Sequence, residues 1–280
     1  MSLAVHTAAR PGFTVDLWWI PRAVILGLLA FAIFGPLTNL LLWTVAERWY
    51  FPHTLPLEYG FSYWARVFSP RGVAMESLAN SIVVAVLTVI VAMALAVPAG
   101  YALARLKLPF RALILLAFLI PQAFPSLPVY VNIARLFYQI GLNGTVTGVV
   151  LVHVTHGLVY AVWIATAAFS AVDAELEEAA RSMGAGAIRT FRDVTLPLAA
   201  PGLLASAIFV FLESLDEFTG SYFVGAPDVN TLPLLLYTAS AGGNYQVASI
   251  TALLLLIPSV AFMLIVERFL RSDVLSKVGH

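Results

Sequence analysis

Three carboxylates in a mostly apolar stretch are the side chains of this sequence best suited to act on a solute. Glu213, Asp216 and Glu217 lie within residues 202–224. Their spacings of three and four residues predict that they share one face of a helix. A charged group near the centre of a bilayer costs about 3 kcal/mol or more. We therefore expect these carboxylates to line a water-filled pathway, to pair with cations of another subunit or to be partly protonated, rather than to face lipid.

Two roles for the acidic face remain open. An acidic patch along a pathway would attract a cationic organic solute such as a polyamine. Alternatively, the carboxylates pair with cations of a partner subunit, or lie closer to the membrane surface than the hydropathy pattern indicates. Both interpretations predict that the carboxylates avoid lipid, so the pattern does not decide between them.

Residues 112–133 supply further polar candidates in a segment that three prolines interrupt. Proline frees helix carbonyls, and a membrane helix tolerates this where the backbone is satisfied elsewhere or faces a cavity. Broken helices are also common at solute sites. Gln122, Tyr130 and Asn132 are accordingly candidates for lining the pathway. The alternative is that the prolines only shape helix packing.

Enzymatic chemistry has little support in this sequence. There is no cysteine and no Gly-rich phosphate-binding motif. His153 and His156 lie three residues apart without a third ligand nearby, so we expect hydrogen bonds between helices rather than a metal site. A membrane-embedded enzyme would have to rely on the three carboxylates alone, and we expect neither catalytic residues nor a cofactor bound by this chain.

The composition is typical of a membrane protein. Of the 280 residues, 61% are hydrophobic and 11% are charged, and the mean hydropathy is +0.92. A soluble domain of this length has about a quarter of its residues charged. The formal net charge of zero argues against a nucleic-acid partner.

Six apolar segments are long enough to cross a bilayer as helices. They predict an all-α integral membrane protein with a transmembrane domain at 23–271, a short segment 1–22 before it and a tail 272–280 after it. The spans are predicted at 23–43, 78–104, 112–133, 146–171, 202–224 and 247–266.

Lysine and arginine predict that both termini are cytoplasmic. With that orientation, eleven of the 15 basic residues lie inside, in agreement with the positive-inside rule. The four outside are Arg48, Arg66, Arg71 and Arg135. The polar segment 172–200 between the fourth and fifth spans is then cytoplasmic.

That segment predicts two short helices separated by glycine. Acidic residues at the start of 173–183 favour a helix N-terminus, and Gly184 and Gly186 interrupt the helical pattern. A second helix is expected from about Ala187, ending near Pro197. We expect small side chains at the turn, which permit close approach of a partner.

The same segment resembles the EAA signature of permease subunits of binding-protein-dependent type I ABC importers. Glu178-Ala179-Ala180 is followed after three residues by Gly184, and after nine more by Val194-Thr195-Leu196-Pro197, with valine in place of isoleucine. The resemblance implies the six-helix importer fold, with coupling helices between spans four and five, in a bacterial inner membrane. The residues it assigns to ATPase coupling are Glu178, Ala179, Ala180, Met183, Gly184, Ala185, Leu196 and Pro197.

The resemblance also implies partners: a second, similar permease, two ATPase subunits that bind ATP and Mg²⁺, and an extracytoplasmic solute-binding protein. The sequences SLDEF and LPLLLY are similar to the spermidine/putrescine-type branch, which is related to the maltose-type permeases. We therefore expect a polyamine or another cationic solute, with a sugar or polyol as the alternative. An ion-coupled secondary transporter would explain the carboxylates but not the EAA-like segment.

Overall fold

The computed structural model describes residues 19–69 and 72–278, and the chain divides into two units at Leu42. The predicted segment 1–22 and the predicted tail 272–280 therefore lie partly outside the described residues. Arg71 lies outside them altogether. The first unit contains most of helix α1, Trp19–Thr44. Apolar side chains of α1 such as Phe31 and Phe34 are exposed, which suits a lipid-facing surface.

The second unit is almost entirely helical. Its strands are β1 Ala46–Arg48 and β2 Glu58–Tyr59, which pair antiparallel. Its helices are α2 Ser62–Val67, α3 Val73–Arg105, α4 Arg111–Ala123, α5 Ser126–Gln139, α6 Val146–Ser170, α7 Ala174–Ser182, α8 Ala187–Thr190, α9 Leu196–Asp216, α10 Leu232–Ala241 and α11 Tyr245–Val278. Two π-helical turns, Phe191–Thr195 and Ser221–Gly225, precede and follow α9.

Four described helical runs are long and apolar enough to cross a membrane. They are α1, α3, α6 and the continuous run Ala187–Asp216. The helices α4 and α5 form a fifth span if taken together, and Tyr245–Ala261 of α11 is a shorter apolar helix. This arrangement agrees with the predicted all-α membrane fold.

The core lies where α3, α6 and α9 pack together, with α6 the most buried of the candidate spans. Small residues bring these helices close. A Cβ atom built on Gly100 would lie 2.8 Å from Cβ of Ala165, and one on Gly202 would lie 2.6 Å from Cβ of Ala168. Close backbone approach of this kind drives helix association where lipid weakens the hydrophobic effect.

The third predicted span is not one continuous helix. The helices α4 and α5 meet at an angle of 91°. Phe124 has an extended backbone (φ −94°, ψ 145°) immediately before Pro125, as the steric bulk of a following proline favours. Pro121 lies inside α4 and does not end it. The break is therefore at Phe124-Pro125, and the predicted span 112–133 consists of parts of two helices that point in different directions.

Glu213, Asp216 and Glu217 do not all lie within one helix as expected, although Glu213 and Glu217 still lie near the same partners, Tyr130 and His156. Helix α9 ends at Asp216, and Glu217 has a non-helical backbone (φ −72°, ψ 106°). The helical run also begins earlier than predicted, at Ala187, so the carboxylates lie at its end rather than its middle. Phe218, Tyr222, Phe223 and Val224 follow the end of α9, and these apolar residues are why hydropathy alone placed the span end too late.

A hairpin containing β1 and β2 joins α1 to α3. The Glu47 carboxylate accepts hydrogen bonds from the hydroxyl and the backbone N–H of Ser62. These bonds lower the pKa of Glu47 below its ordinary value because they stabilise the charged form. The Trp43 and Trp49 rings stack with centroids 4.3 Å apart, so the loop has a defined conformation.

Replacing Gly100 with valine should destabilise the protein, because the added side chain would overlap Ala165 and the backbone of Thr166. We expect a loss of about 1–3 kcal/mol of unfolding free energy, typical of an overpacked core. Denaturation of the detergent-purified protein measures this. Gly27→Val is the control, since nothing lies within 4 Å of a Cβ atom built on Gly27. Equal stability of the two variants would contradict the proposed close contact.

Candidate solute pathway and coupling loop

His156 is the centre of a polar cluster at the broken helix pair. Its Nε2 atom lies 3.2 Å from Nε2 of Gln122 and 3.4 Å from Oε1 of Glu213. Its Nδ1 atom lies 3.4 Å from the Tyr130 hydroxyl oxygen. A protonated Nε2 donates to Glu213, whereas an unprotonated Nε2 accepts from the Gln122 amide, so the ring's protonation selects its partner.

A cleft of about 290 Å³ adjoins this cluster. Its polar lining comes from Gln122, Tyr130, His156, Thr155 and Ser126, and its apolar lining comes from Pro121, Phe124 and Val129. The bend between α4 and α5 lies at the cleft, with Gln122 contributed by α4 and Tyr130 by α5. A small number of convergent polar groups in an apolar cleft is typical of a solute site.

Of the remaining predicted pathway residues, Glu217 also contacts this cluster through Tyr130, and the other two lie apart from it. Glu217 accepts a hydrogen bond from the Gly220 backbone N–H at 2.7 Å. Asp216 is exposed beside the end of α9. Asn132 is also exposed, and its amide donates to the Pro128 carbonyl of its own helix at 2.8 Å. The structure thus brings Gln122, Tyr130, Glu213 and Glu217 together around His156 and leaves Asp216 and Asn132 outside the cluster.

His153 links α6 to both sides of the break after α9. Its Nδ1 lies 2.7 Å from the Ser214 hydroxyl and its Nε2 lies 2.9 Å from the Ser221 hydroxyl. The side chain is 2% exposed. Both ring nitrogens are therefore engaged between helices. Within residues 19–69 and 72–278, no group of three His, Cys, Asp or Glu side chains is arranged to hold a metal ion.

The predicted two-helix loop consists of α7 and the short α8, which continues through a π-helical turn into α9. The Asp173 carboxylate caps α7 by accepting from the Glu175 backbone N–H at 3.0 Å. Gly184 has φ +88°, a left-handed conformation that glycine adopts without steric cost. Nothing lies within 4 Å of a Cβ built on Gly184 or Gly186, so the turn is open to close approach.

Most residues assigned to coupling are accessible. Met183 is 84% exposed and the neighbouring Ile188 is 85% exposed, which is unusual for large apolar side chains. Glu178, Ala179, Gly184 and Pro197 are exposed, and Ala185 and Leu196 are half-buried. Ala180 is instead buried, at 6% exposure. It packs inward, so its side chain is not available to a partner.

Sequence reasoning missed Glu177, the buried residue that anchors this loop. Its carboxylate is 2.9 Å from Nε of Arg105 and accepts a hydrogen bond from the Thr195 hydroxyl at 2.9 Å. The motif emphasises Glu178, one position later, and helical spacing alone does not separate the two. The available signal was that Arg105 ends a long apolar segment and needs a counter-charge.

The fold matches a solved transporter structure. A bacterial ABC transporter involved in the import of the acidic polysaccharide alginate superposes with a TM-score of 0.69, covering 94% of this chain and 99% of that one at 19% identity. At this identity the match shows a common fold.

Sequence comparisons are more specific. A Streptomyces antibioticus protein named as an ABC transporter permease is 34% identical over 214 residues, covering 75% of this chain and 93% of the relative. The trehalose transport system permease of Mycobacterium tuberculosis is 33% identical over 198 residues, covering 69% and 72%. Residues 96–274 match the family model of the binding-protein-dependent transport system inner membrane component. The chain belongs to this family and is a multi-pass inner-membrane permease subunit of an ABC importer.

Proposed function

We propose that this permease forms half of a solute pathway and couples it to separate ATPase subunits through α7, α8 and the turn between them. The exposed apolar tip of the loop, at Met183 and Ile188, is the observation that carries the proposal. Large apolar side chains at such exposure are stable on a polar loop when a partner covers them. Both termini and this loop would then be cytoplasmic.

ATP and Mg²⁺ would bind the ATPase partners and not this chain. ATP binding would close two ATPase subunits, move the loop and open the pathway toward a docked solute-binding protein, and hydrolysis would reverse the change. A second, similar permease would complete the pathway. A binding-protein-bound complex and a methionine transporter in inward-facing conformations occur among the structures with this fold.

For the solute we propose a sugar or polyol rather than a polyamine. Relatives are named for trehalose, diacetylchitobiose, α-glucoside and sulfoquinovosyl glycerol. One is named for molybdenum. The names do not support the expected preference for polyamines, and they favour the alternative of a sugar or polyol.

The cluster around His156 also favours a neutral, hydroxyl-rich solute. Glu213 lies 3.4 Å from His156 Nε2 and Glu217 accepts from the Gly220 N–H, so both carboxylates already have partners within the chain. Amide, phenol and imidazole groups can each donate to or accept from sugar hydroxyls. Tyr222 and Tyr237, 41% and 47% exposed, offer rings against which the apolar faces of a sugar could pack.

Replacing Gly184 with tryptophan should prevent ATPase assembly, because the open turn would carry a bulky side chain where the partner approaches. We expect membrane insertion to persist and the co-purified ATPase to be lost. Gly141→Trp is the matched control, since Gly141 also has positive φ (+72°) and open surroundings. Quantitative co-purification from solubilised membranes measures the effect. Recovery of the ATPase equal to that of the control would refute the docking role. Solute transport by this chain alone under an ion gradient would indicate a secondary transporter.

Replacing Glu213 with glutamine and Asp216 with asparagine distinguishes the two solute classes. For a neutral sugar we expect uptake to persist, because removing negative charge leaves hydrogen-bonding capacity in place. Uptake of radiolabelled trehalose and of putrescine by proteoliposomes containing the complete transporter and its binding protein provides the comparison. The sugar assignment would be overturned if the unmodified transporter took up putrescine and the double variant did not.

A further inference from the structure

We propose that Glu177, Arg105 and Thr195 form a junction that makes the coupling loop and the adjacent end of α3 move as one body. This coupling junction rests on the proposed function, since it concerns how an ATPase movement reaches the spans. It names positioning residues outside the docking surface. Its basis is a buried carboxylate held by side chains of two other elements.

The Glu177 side chain is the meeting point of the junction. The residue is 4% exposed, although it belongs to a helix whose neighbouring residues are largely exposed. Its Oε1 atom lies 2.9 Å from Nε of Arg105 at the end of α3. The same oxygen accepts from the Thr195 hydroxyl, also at 2.9 Å, and Thr195 ends the π-helical turn that leads into α9. One carboxylate oxygen therefore links α7 to α3 and α9.

Arg105 extends the junction to the end of α6. Its Nη2 atom donates to the Val172 carbonyl at 2.7 Å, and Val172 lies between α6 and α7. The planar guanidinium fixes the directions of both hydrogen bonds. Arg181 provides a second cation, 3.7 Å from the other Glu177 oxygen, but its side chain is 52% exposed. Arg105 is thus the better-ordered partner of the carboxylate.

The π-helical turn at Phe191–Thr195 places Thr195 against the same carboxylate. Turns of this kind widen a helix locally and are frequent at functional sites. Beside it, the Phe191 ring lies 5.0 Å from Tyr101 of α3 and 6.1 Å from Phe169 of α6, centroid to centroid. These rings give the polar junction an apolar side, which limits water access.

Few other contacts can transmit force from α7. Glu177 and Ala180 are its only buried residues, and Ala180 has no side chain beyond Cβ with which to hold a neighbour. A buried charge that loses its partner is strongly unfavourable, so a pull on α7 is opposed at Glu177 before the ion pair separates. The movement therefore passes to the ends of α3 and α9.

The distance between the loop and α3 tests the junction directly. The chain has no native cysteine, so spin labels at Lys107→Cys and Ser182→Cys report on the end of α3 and on α7. The sample is the transporter purified with its own ATPase and partner permease, with cysteines of the partners replaced. Double electron–electron resonance gives the distance distribution without nucleotide and after trapping with Mg²⁺, ATP and vanadate.

In the unmodified complex we expect one narrow distribution that is the same in both states. In the Glu177→Gln and Arg105→Gln variants we expect this narrow distribution to be replaced by broad or nucleotide-dependent distances, while the ATPase remains bound. Arg105→Lys should be intermediate, because it retains the charge without the fixed geometry. Glu175→Gln is the matched control, an exposed glutamate on the same helix, and should behave as the unmodified complex.

Either of two results would contradict the proposed junction. The first is that the variants give the same distance distributions as the unmodified complex. The second is that the distance in the unmodified complex changes between the two nucleotide states. If Glu177→Gln and Arg105→Gln fail to assemble, the distance in the unmodified complex still decides. A merely structural role would lower the amount of complex without broadening the distances in what remains. Purification of this chain without any ATPase would refute the proposed function, whereas a failed junction leaves the ATPase bound.

Discussion

The close approach of α3, α6 and α9 is the constraint on which the remaining architecture depends. In an apolar solvent each backbone polar group must be satisfied within its own segment, which requires helices. Association of those helices then depends on van der Waals contact, and contact depends on small residues. Gly100 faces Ala165, Gly157 faces Val210 and Gly202 faces Ala168. Tight contact of this kind leaves little room in the interior, and the cleft lies beside the break between α4 and α5.

Two helix breaks create the polar cluster. The bend between α4 and α5 directs Gln122 and Tyr130 toward α6, and the end of α9 allows Glu217 to leave the helical path. His153 ties α6 to both sides of the second break through Ser214 and Ser221. The broken backbone is thus held by buried hydrogen bonds and faces a cleft, the situation in which irregular backbone is tolerated at membrane depth.

Sequence pattern was sufficient for features that depend on local composition. The apolar runs, the glycine turn at Gly184 and the acidic start of α7 follow from propensities of neighbouring residues. Features that depend on distant partners could not be read in this way. Glu177 and Glu178 look alike in sequence, yet Arg105 and Thr195 bury the first and leave the second exposed. Likewise, no glycine or proline marks the end of α9 at Asp216, so the pattern continued the helix through Glu217.

The distribution of ion pairs over the loop fits a division between an anchored base and an adaptable tip. Around the tip, Asp193 pairs with Arg189 and Arg192, whose side chains are 75% and 74% exposed. Exposed pairs of this kind add little stability and can rearrange on contact with a partner. At the base, the Arg105–Glu177 pair is 15% and 5% exposed. A buried pair contributes defined geometry more than net stability. The loop can therefore adapt its tip to the surface of an ATPase while its base keeps a fixed relation to α3 and α9.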